Sequence, residues 1–305
     1  MLTIAFFGSG GDASLIPLEA VARHHRIIAV VTPARGGSRF RRAIRVALSR
    51  TGIGLQAPMF KWAKLHDVPL LAAISGRDNG LASRLEELAP DVICVSAFPW
   101  LLGSRILRIA RRTAMNVHPS HLPRHRGPNP WFWVYYHSDR KTGVTIHQMN
   151  ERADAGDILA QEAFDLPRGF PVDRLYGRNS VLGSELLLQV LGEIEAGTSR
   201  PVAQDEGSAT RAPRVAVGTP MVNFDHWEVE RVWHFLAGLC PKRREPLRDS
   251  AHREVRYEAV IGYTPGNCQL APGIVQRASF GWNLYCLGGS VQLADARNAK
   301  RGATP

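Results

Sequence analysis

Four short apolar runs separated by segments of helical spacing constrain the fold of this chain more than any other feature. The runs are Leu2-Thr3-Ile4-Ala5-Phe6-Phe7, Ile27-Ile28-Ala29-Val30-Val31-Thr32, Val68 to Ala73 and Asp91 to Ala97. Each is short enough for a strand and apolar enough to be covered on both faces. Between them lie a segment carrying Leu15, Leu18, Val21 and Ala22, then residues 58–66 and 80–89, all of which read as helices. Strands that alternate with helices pair in parallel, with right-handed crossovers. The expected class is therefore α/β, a Rossmann-like, doubly wound, mostly parallel sheet.

A chain of 305 residues with 45% hydrophobic and 21% charged residues has length for two globular domains. Leu175, Val181, Leu182, Leu186, Leu187, Val190, Leu191 and Ile194 predict a long helix from Asp173 to Gly197 that covers one face of the sheet. The small, polar stretch Gly207 to Arg214 reads as a linker. Trp227, Val232, Trp233, Phe235, Leu236 and Leu239 then mark an amphipathic helix. Short strand-like segments separated by Pro-Gly and Gly-Gly turns complete the chain. The expected division is residues 1–206 as one domain and 207–305 as a linker helix with a small sheet-rich domain. No apolar run is long enough for a membrane span and no secretory leader is visible, so a cytoplasmic location is expected. Four scattered cysteines without a C-x-x-C pair favour neither a disulfide framework nor a zinc site.

Chemistry concentrates between residues 115 and 158. Asn116 and His118 stand two apart at the end of a predicted strand, so they share a face, and Pro119 ends the ladder. The loop Ser120-His121-Leu122-Pro123-Arg124-His125-Arg126-Gly127 lies beyond the strand's carboxyl end, where open α/β sheets bind ligands. After the strand-like Gly143-Val144-Thr145-Ile146-His147 comes the turn Asp154-Ala155-Gly156-Asp157. An amide, an imidazole and a carboxylate brought to one point suit acyl transfer to a substrate that supplies its own nucleophile, such as an amine.

The linked motifs from Asn116 to Leu159 resemble those of the folate-dependent formyltransferase family, which includes methionyl-tRNA, glycinamide ribonucleotide and sugar-nucleotide formyltransferases. The resemblance implies a catalytic triad of Asn116, His118 and Asp154 and a co-substrate, 10-formyltetrahydrofolate. It implies folate contacts from Phe98, Pro99, Trp100, Leu101 and Leu102 and from Ala155, Gly156 and Asp157. Contacts to the acceptor are expected from Gly8, Ser9, Gly10, Ser120, Arg124, Arg126 and Gly127. The C-terminal strands resemble the small OB-like β-barrel that follows the catalytic domain in methionyl-tRNA formyltransferases.

The formal charge of +11 and the basic segment Arg35 to Arg50, with Phe40, Ile44 and Leu48 at helical spacing, admit a tRNA acceptor. Against it, Gly127-Pro128-Asn129-Pro130-Trp131 departs from the pattern expected of the tRNA enzymes. A small amine, such as an amino-sugar nucleotide, is therefore the expected acceptor, with initiator Met-tRNA as the alternative. A remoter alternative is an NADP-dependent oxidoreductase using Gly8-x-Gly10-x-x-Ala13, although no acidic residue follows the second strand to hold a ribose. His121, His125, His137 and His147 lie near the triad, but no ligand spacing is evident and no metal is expected. The aromatic run Trp131 to Tyr136 is expected to pack in a core.

Overall fold

The computed structural model describes residues 1–34, 58–268 and 270–298. The basic segment Arg35 to Arg50, with its expected helix, lies outside the described residues. The chain forms two compact units, the first made of Met1–Pro128, Gly143–Phe164 and Tyr176–Ala212, the second of Asn129–Thr142, Asp165–Leu175 and Pro213–Pro305. We retain residues 1–206 and 207–305 as a proposed functional division. As compact bodies, however, two excursions from the first part of the sequence belong with the C-terminal unit.

In the first unit, β1 (Thr3–Gly8), β2 (Arg26–Pro33), β3 (Leu70–Ala73), β4 (Val92–Ser96), β5 (Thr113–His118), β6 (Lys141–Gln148) and β7 (Ile158–Asp165) form one sheet of order β3-β2-β1-β4-β5-β6-β7. Strands β1 to β5 pair in parallel, and β6 returns antiparallel to β5. Helices α1 (Asp12–Ala22), α2 (Pro58–Leu65) and α3 (Asn79–Leu88) make the crossovers. On one face Ala5, Phe7, Ala29, Val31, Ile93 and Val95 pack with Leu81 and Leu85 of α3. Asp78 caps that helix by accepting from the N–H groups of Gly80 and Leu81, and Ala89 ends it in the left-handed conformation. Ala97 to Leu102 form a loop, and a short helix α4 (Ser104–Leu107) follows it.

In the second unit, α5 (Pro130–Tyr136) carries the aromatic run. Phe132 and Tyr135 are fully buried, and Phe132 meets Phe235 of the amphipathic helix edge-on. The long predicted helix is Val172–Ala196, here α6, which continues into the first unit; the amphipathic one is Val229–Leu239, here α7. A short hairpin, β8 (Leu247–Arg248) and β9 (Glu254–Val255), precedes β10 (Ala259–Pro265), β11 (Val275–Ala278), β12 (Gly281–Cys286) and β13 (Gly289–Ala294). The last four form a small antiparallel sheet of order β10-β13-β12-β11, in which the edge strands β10 and β11 are neighbours only of β13 and β12. The region expected as a small β domain is thus a separate antiparallel sheet of these four strands. No helix among the described residues is long and apolar enough to cross a membrane.

His234 of α7 is buried, and its Nδ1 accepts the Gly169 N–H at 2.9 Å. Its Nε2 must then carry the proton in the neutral ring, yet it is buried with no hydrogen-bond partner among the described residues. Burial, followed by the nearby Arg168 charge, lowers its pKa to about 4, with Glu230 opposing and Arg140 assisting. An unfolded histidine titrates near 6.5, so as pH falls from about 6.5 to 4 the unfolded chain takes up a proton that the folded chain refuses. Above that window the group has no effect. Stability should therefore drop across it by up to about 3 kcal/mol from this residue alone. In His234→Asn, whose side-chain oxygen can still accept from Gly169, urea melts at pH 7 and pH 4.5 should differ less than in the wild type.

Candidate active site

Strand register assembles the site. In the β5–β6 ladder Asn116 lies opposite His147 and His118 opposite Thr145, so these four polar side chains share one face of the antiparallel pair. The intervening Val117 and Ile146 are buried on the other face. Thr145 Oγ1 donates to the Ser120 carbonyl at 2.8 Å and accepts the Leu122 N–H at 3.1 Å, which folds the loop after Pro119 back over the strand ends.

Asp154 enters from the turn after β6 with a backbone φ of +50°. Its Oδ2 lies 3.6 Å from His118 Nδ1 and accepts the Gly127 N–H at 2.8 Å. Its Oδ1 lies 3.4 Å from His147 Nε2 and 3.5 Å from Asn116 Nδ2. Asn116 Nδ2 is also 3.2 Å from His147 Nε2. Gln204 Nε2 clamps the turn from behind, donating to the carbonyls of Asp154 at 2.9 Å and Gly156 at 2.6 Å.

Backbone carbonyls set both imidazole tautomers. His118 Nε2 lies 3.0 Å from the His125 carbonyl oxygen and His147 Nδ1 lies 2.7 Å from that of Gln148. A carbonyl only accepts, so these nitrogens carry protons, and the opposite ring nitrogens face Asp154. Burial of His118 pulls its pKa below the usual imidazole value, and Asp154 pulls the other way without overcoming burial. For Asp154 burial pushes upward, but the neighbouring imidazoles of His118 and His147 and the hydrogen bond from the Gly127 N–H outweigh it, and the carboxyl is held well below the ordinary range. The pair therefore presents an ionised carboxylate.

Asn116, His118 and Asp154 thus converge as the sequence implies. Of the expected folate contacts, Leu102 is only 2% exposed and belongs to the hydrophobic core, so it offers no surface to a ligand. Phe98 packs edge-on against Phe7 and Trp100, whereas Leu101 is exposed. Ala155 and Asp157 stay within the turn, where Asp157 holds the Gln148 N–H through its carbonyl.

Several expected acceptor contacts have internal duties. Ser120 is fully buried, and its hydroxyl donates to the Arg124 carbonyl. The Arg126 guanidinium is engaged by Gln204 and by both oxygens of Glu206, and the Gly127 N–H is taken by Asp154. Arg124 is exposed on the same loop. In the first turn of the fold the Ser9 N–H donates to Ser14 Oγ, which donates to the Ser96 carbonyl, while Ser96 Oγ returns a bond to Ala13. A Cβ on Gly8 would lie 2.6 Å from Ser14 Cβ, and Gly10 adopts φ +94°. Asp12 stands in the first turn of α1, an unfavourable neighbour for a dinucleotide's pyrophosphate.

Residues the motif reading left out of the site are His147, Gln204 and Thr210. The alternation of Thr145 and His147 with apolar neighbours carried a signal, since an antiparallel partner of Asn116 and His118 must present its own i and i+2 residues to the same face. Gln204 and Thr210 had none. The stretch read as a linker is tied to the site loop: Thr210 Oγ1 accepts the His125 N–H at 2.8 Å, and Ala212 N–H donates to the Arg126 carbonyl at 2.7 Å.

The formyl transferase family profile matches residues 3–191. Among similar proteins, methionyl-tRNA formyltransferase of Anaeromyxobacter dehalogenans (strain 2CP-C) is 40% identical over 214 residues, which covers 69% of this chain and 64% of that relative's own length. That of Syntrophus aciditrophicus (strain SB) is 33% identical over 243 residues, 79% of this chain and 73% of the relative. The fold is similar to that of an N-formyltransferase from Helicobacter canadensis, solved with folinic acid and dTDP-3-aminofucose, with a TM-score of 0.70 at 14% identity over 97% of this chain and 99% of that one. With the family profile spanning the whole ladder from β1 to the Asp154 turn and beyond, the chain belongs to the formyl transferase family.

Proposed function

We propose that this protein transfers a formyl group from 10-formyltetrahydrofolate to a primary amine, and that the amine is the aminoacyl nitrogen of Met-tRNA. The observation that carries the reaction is the convergence of Asn116, His118 and Asp154 on one face of the β5–β6 ladder in a chain of this family. The acceptor amine forms a bond to the formyl carbon, and negative charge moves to the formyl oxygen. Asn116 Nδ2 is the neutral donor available to that oxygen, and His118, held between Asp154 and the His125 carbonyl, is the group able to carry compensating positive charge. Collapse breaks the bond to N10 of the folate, which leaves with the proton that the amine gives up.

For the acceptor, the relatives at 33–40% identity are methionyl-tRNA formyltransferases, and this favours Met-tRNA over the small amine expected from the motif departures. The charge of +11 points the same way. A sugar-nucleotide amine is the second reading, supported by the fold similarity along nearly the full chain to the Helicobacter canadensis protein. Purified protein incubated with 10-formyltetrahydrofolate and, in separate reactions, charged initiator Met-tRNA or amino-sugar nucleotides decides between them. Formyl-methionine on the tRNA is the expected product. Transfer to the sugar alone replaces the first reading by the second, and transfer to neither ends both.

A further inference from the structure

We propose that His118, His147 and Asp154 together bind one divalent transition-metal ion of the zinc class, and that the bound ion blocks formyl transfer. The ligand atoms of the three residues all lie within 4.8 Å of one another, and both histidines are buried. Each imidazole gives its far N–H to a backbone carbonyl, His118 to that of His125 and His147 to that of Gln148. This outer bond is the arrangement that orients metal-ligating histidines and makes the inner nitrogen more basic. In the neutral rings two lone pairs and a carboxylate therefore face one another, and Asn116 Nδ2 and the Gly127 N–H are the donors set against them among the described residues. Such a cluster of acceptors is completed by a cation.

The spacing fits. Tetrahedral zinc with bonds of about 2.1 Å sets its ligand atoms roughly 3.4 Å apart. Here His118 Nδ1 to Asp154 Oδ2 is 3.6 Å and His147 Nε2 to Asp154 Oδ1 is 3.4 Å. Two nitrogens and a carboxylate select zinc, cobalt or nickel over magnesium or calcium, which prefer oxygen ligands. Entry of the ion requires the Asn116 amide to turn its oxygen inward or withdraw. The ion would then occupy the lone pair of His118 and redirect the amide that serves the formyl oxygen. Only this inhibitory half rests on the proposed catalytic roles.

The test uses the full chain after removal of adventitious metal with a chelator. Calorimetric titration with zinc should show one tight equivalent, and cobalt should give the visible absorption of a low-symmetry site. His147→Gln should weaken binding on the order of 100-fold, and Asp154→Asn should do likewise. Wild-type formyl transfer should fall with zinc occupancy and return when EDTA is added. Absence of binding, binding unchanged in His147→Gln, or binding that leaves transfer untouched would overturn the proposal. Metal-free wild type that formylates no acceptor would count against the proposed function instead, and calorimetry would still judge the metal site.

Discussion

Replacing Asp154 by asparagine is expected to lower formyl transfer by roughly a hundredfold or more while leaving the first unit folded. The substitution is conservative where conservation matters for folding. Asp154 adopts φ +50°, a conformation that asparagine tolerates better than other side chains with a Cβ. An amide oxygen can also continue to accept the 2.8 Å bond from the Gly127 N–H. What disappears is the full negative charge facing His118 Nδ1 at 3.6 Å and His147 Nε2 at 3.4 Å. Without it, the largest influence opposing the burial that already disfavours the charged imidazole is gone, and the positive charge needed beside a developing oxyanion is lost. The barrier should rise by about 3 kcal/mol, the size expected for loss of one preorganised electrostatic contribution. His118→Ala and Asn116→Ala should cost at least as much, and because the three act on one transition state their effects should not add. Single-turnover rates alongside thermal melts separate chemistry from folding. An Asp154→Asn protein that melts like the wild type and transfers formyl at the wild-type rate would remove this carboxylate from the mechanism.

The part of this site that could be read from the sequence is the part governed by local periodicity. Asn116 and His118 fall on one face because strands repeat every two residues, and Pro119 marks where the strand must stop. The sheet core was legible for the same reason: Ile4 to Phe7 and Ile27 to Val31 are unbroken apolar runs, and they occupy β1 and β2. The role of His147 depends on the register of an antiparallel partner, a non-local quantity that becomes visible only once His118 is known to lie opposite Thr145. The burial of Leu102 was not legible because a loop that offers residues to a ligand looks, in sequence, like a loop that plugs the core. The engagement of Arg126 could not be read because a charged residue's partner can be far away, and Glu206 follows it by 80 positions. The C-terminal strands were recognisable from their turns, but whether β10 and β11 close into a barrel depends on their pairing, which turn residues do not specify.

Gly156→Ala should be nearly as damaging as loss of the carboxylate, although the residue carries no functional group. A Cβ built on Gly156 would lie 1.9 Å from the carbonyl oxygen of Gln148 and 2.7 Å from its carbon, and both are backbone atoms that no rotamer change can move away. Gln148 ends β6, and its N–H donates to the Asp157 carbonyl at 2.8 Å, so the turn and the strand end are fastened at the point where the methyl would enter. Relief requires the Asp154 turn to swing outward, against the two Gln204 bonds that hold it. The expected stability loss is about 1–3 kcal/mol, the usual range for overpacking. The larger effect is geometric, since displacing a catalytic group by about 1 Å can cost on the order of a hundredfold in rate. Gly177→Ala is the matched control. It lies inside α6 with open space around its Cβ position, where alanine should be neutral or stabilising by up to about 1 kcal/mol. Rates and melts of the two variants, measured together, test whether the close approach of the turn to β6 is what places Asp154. A Gly156→Ala enzyme as active as Gly177→Ala would show that the carboxylate reaches His118 without it.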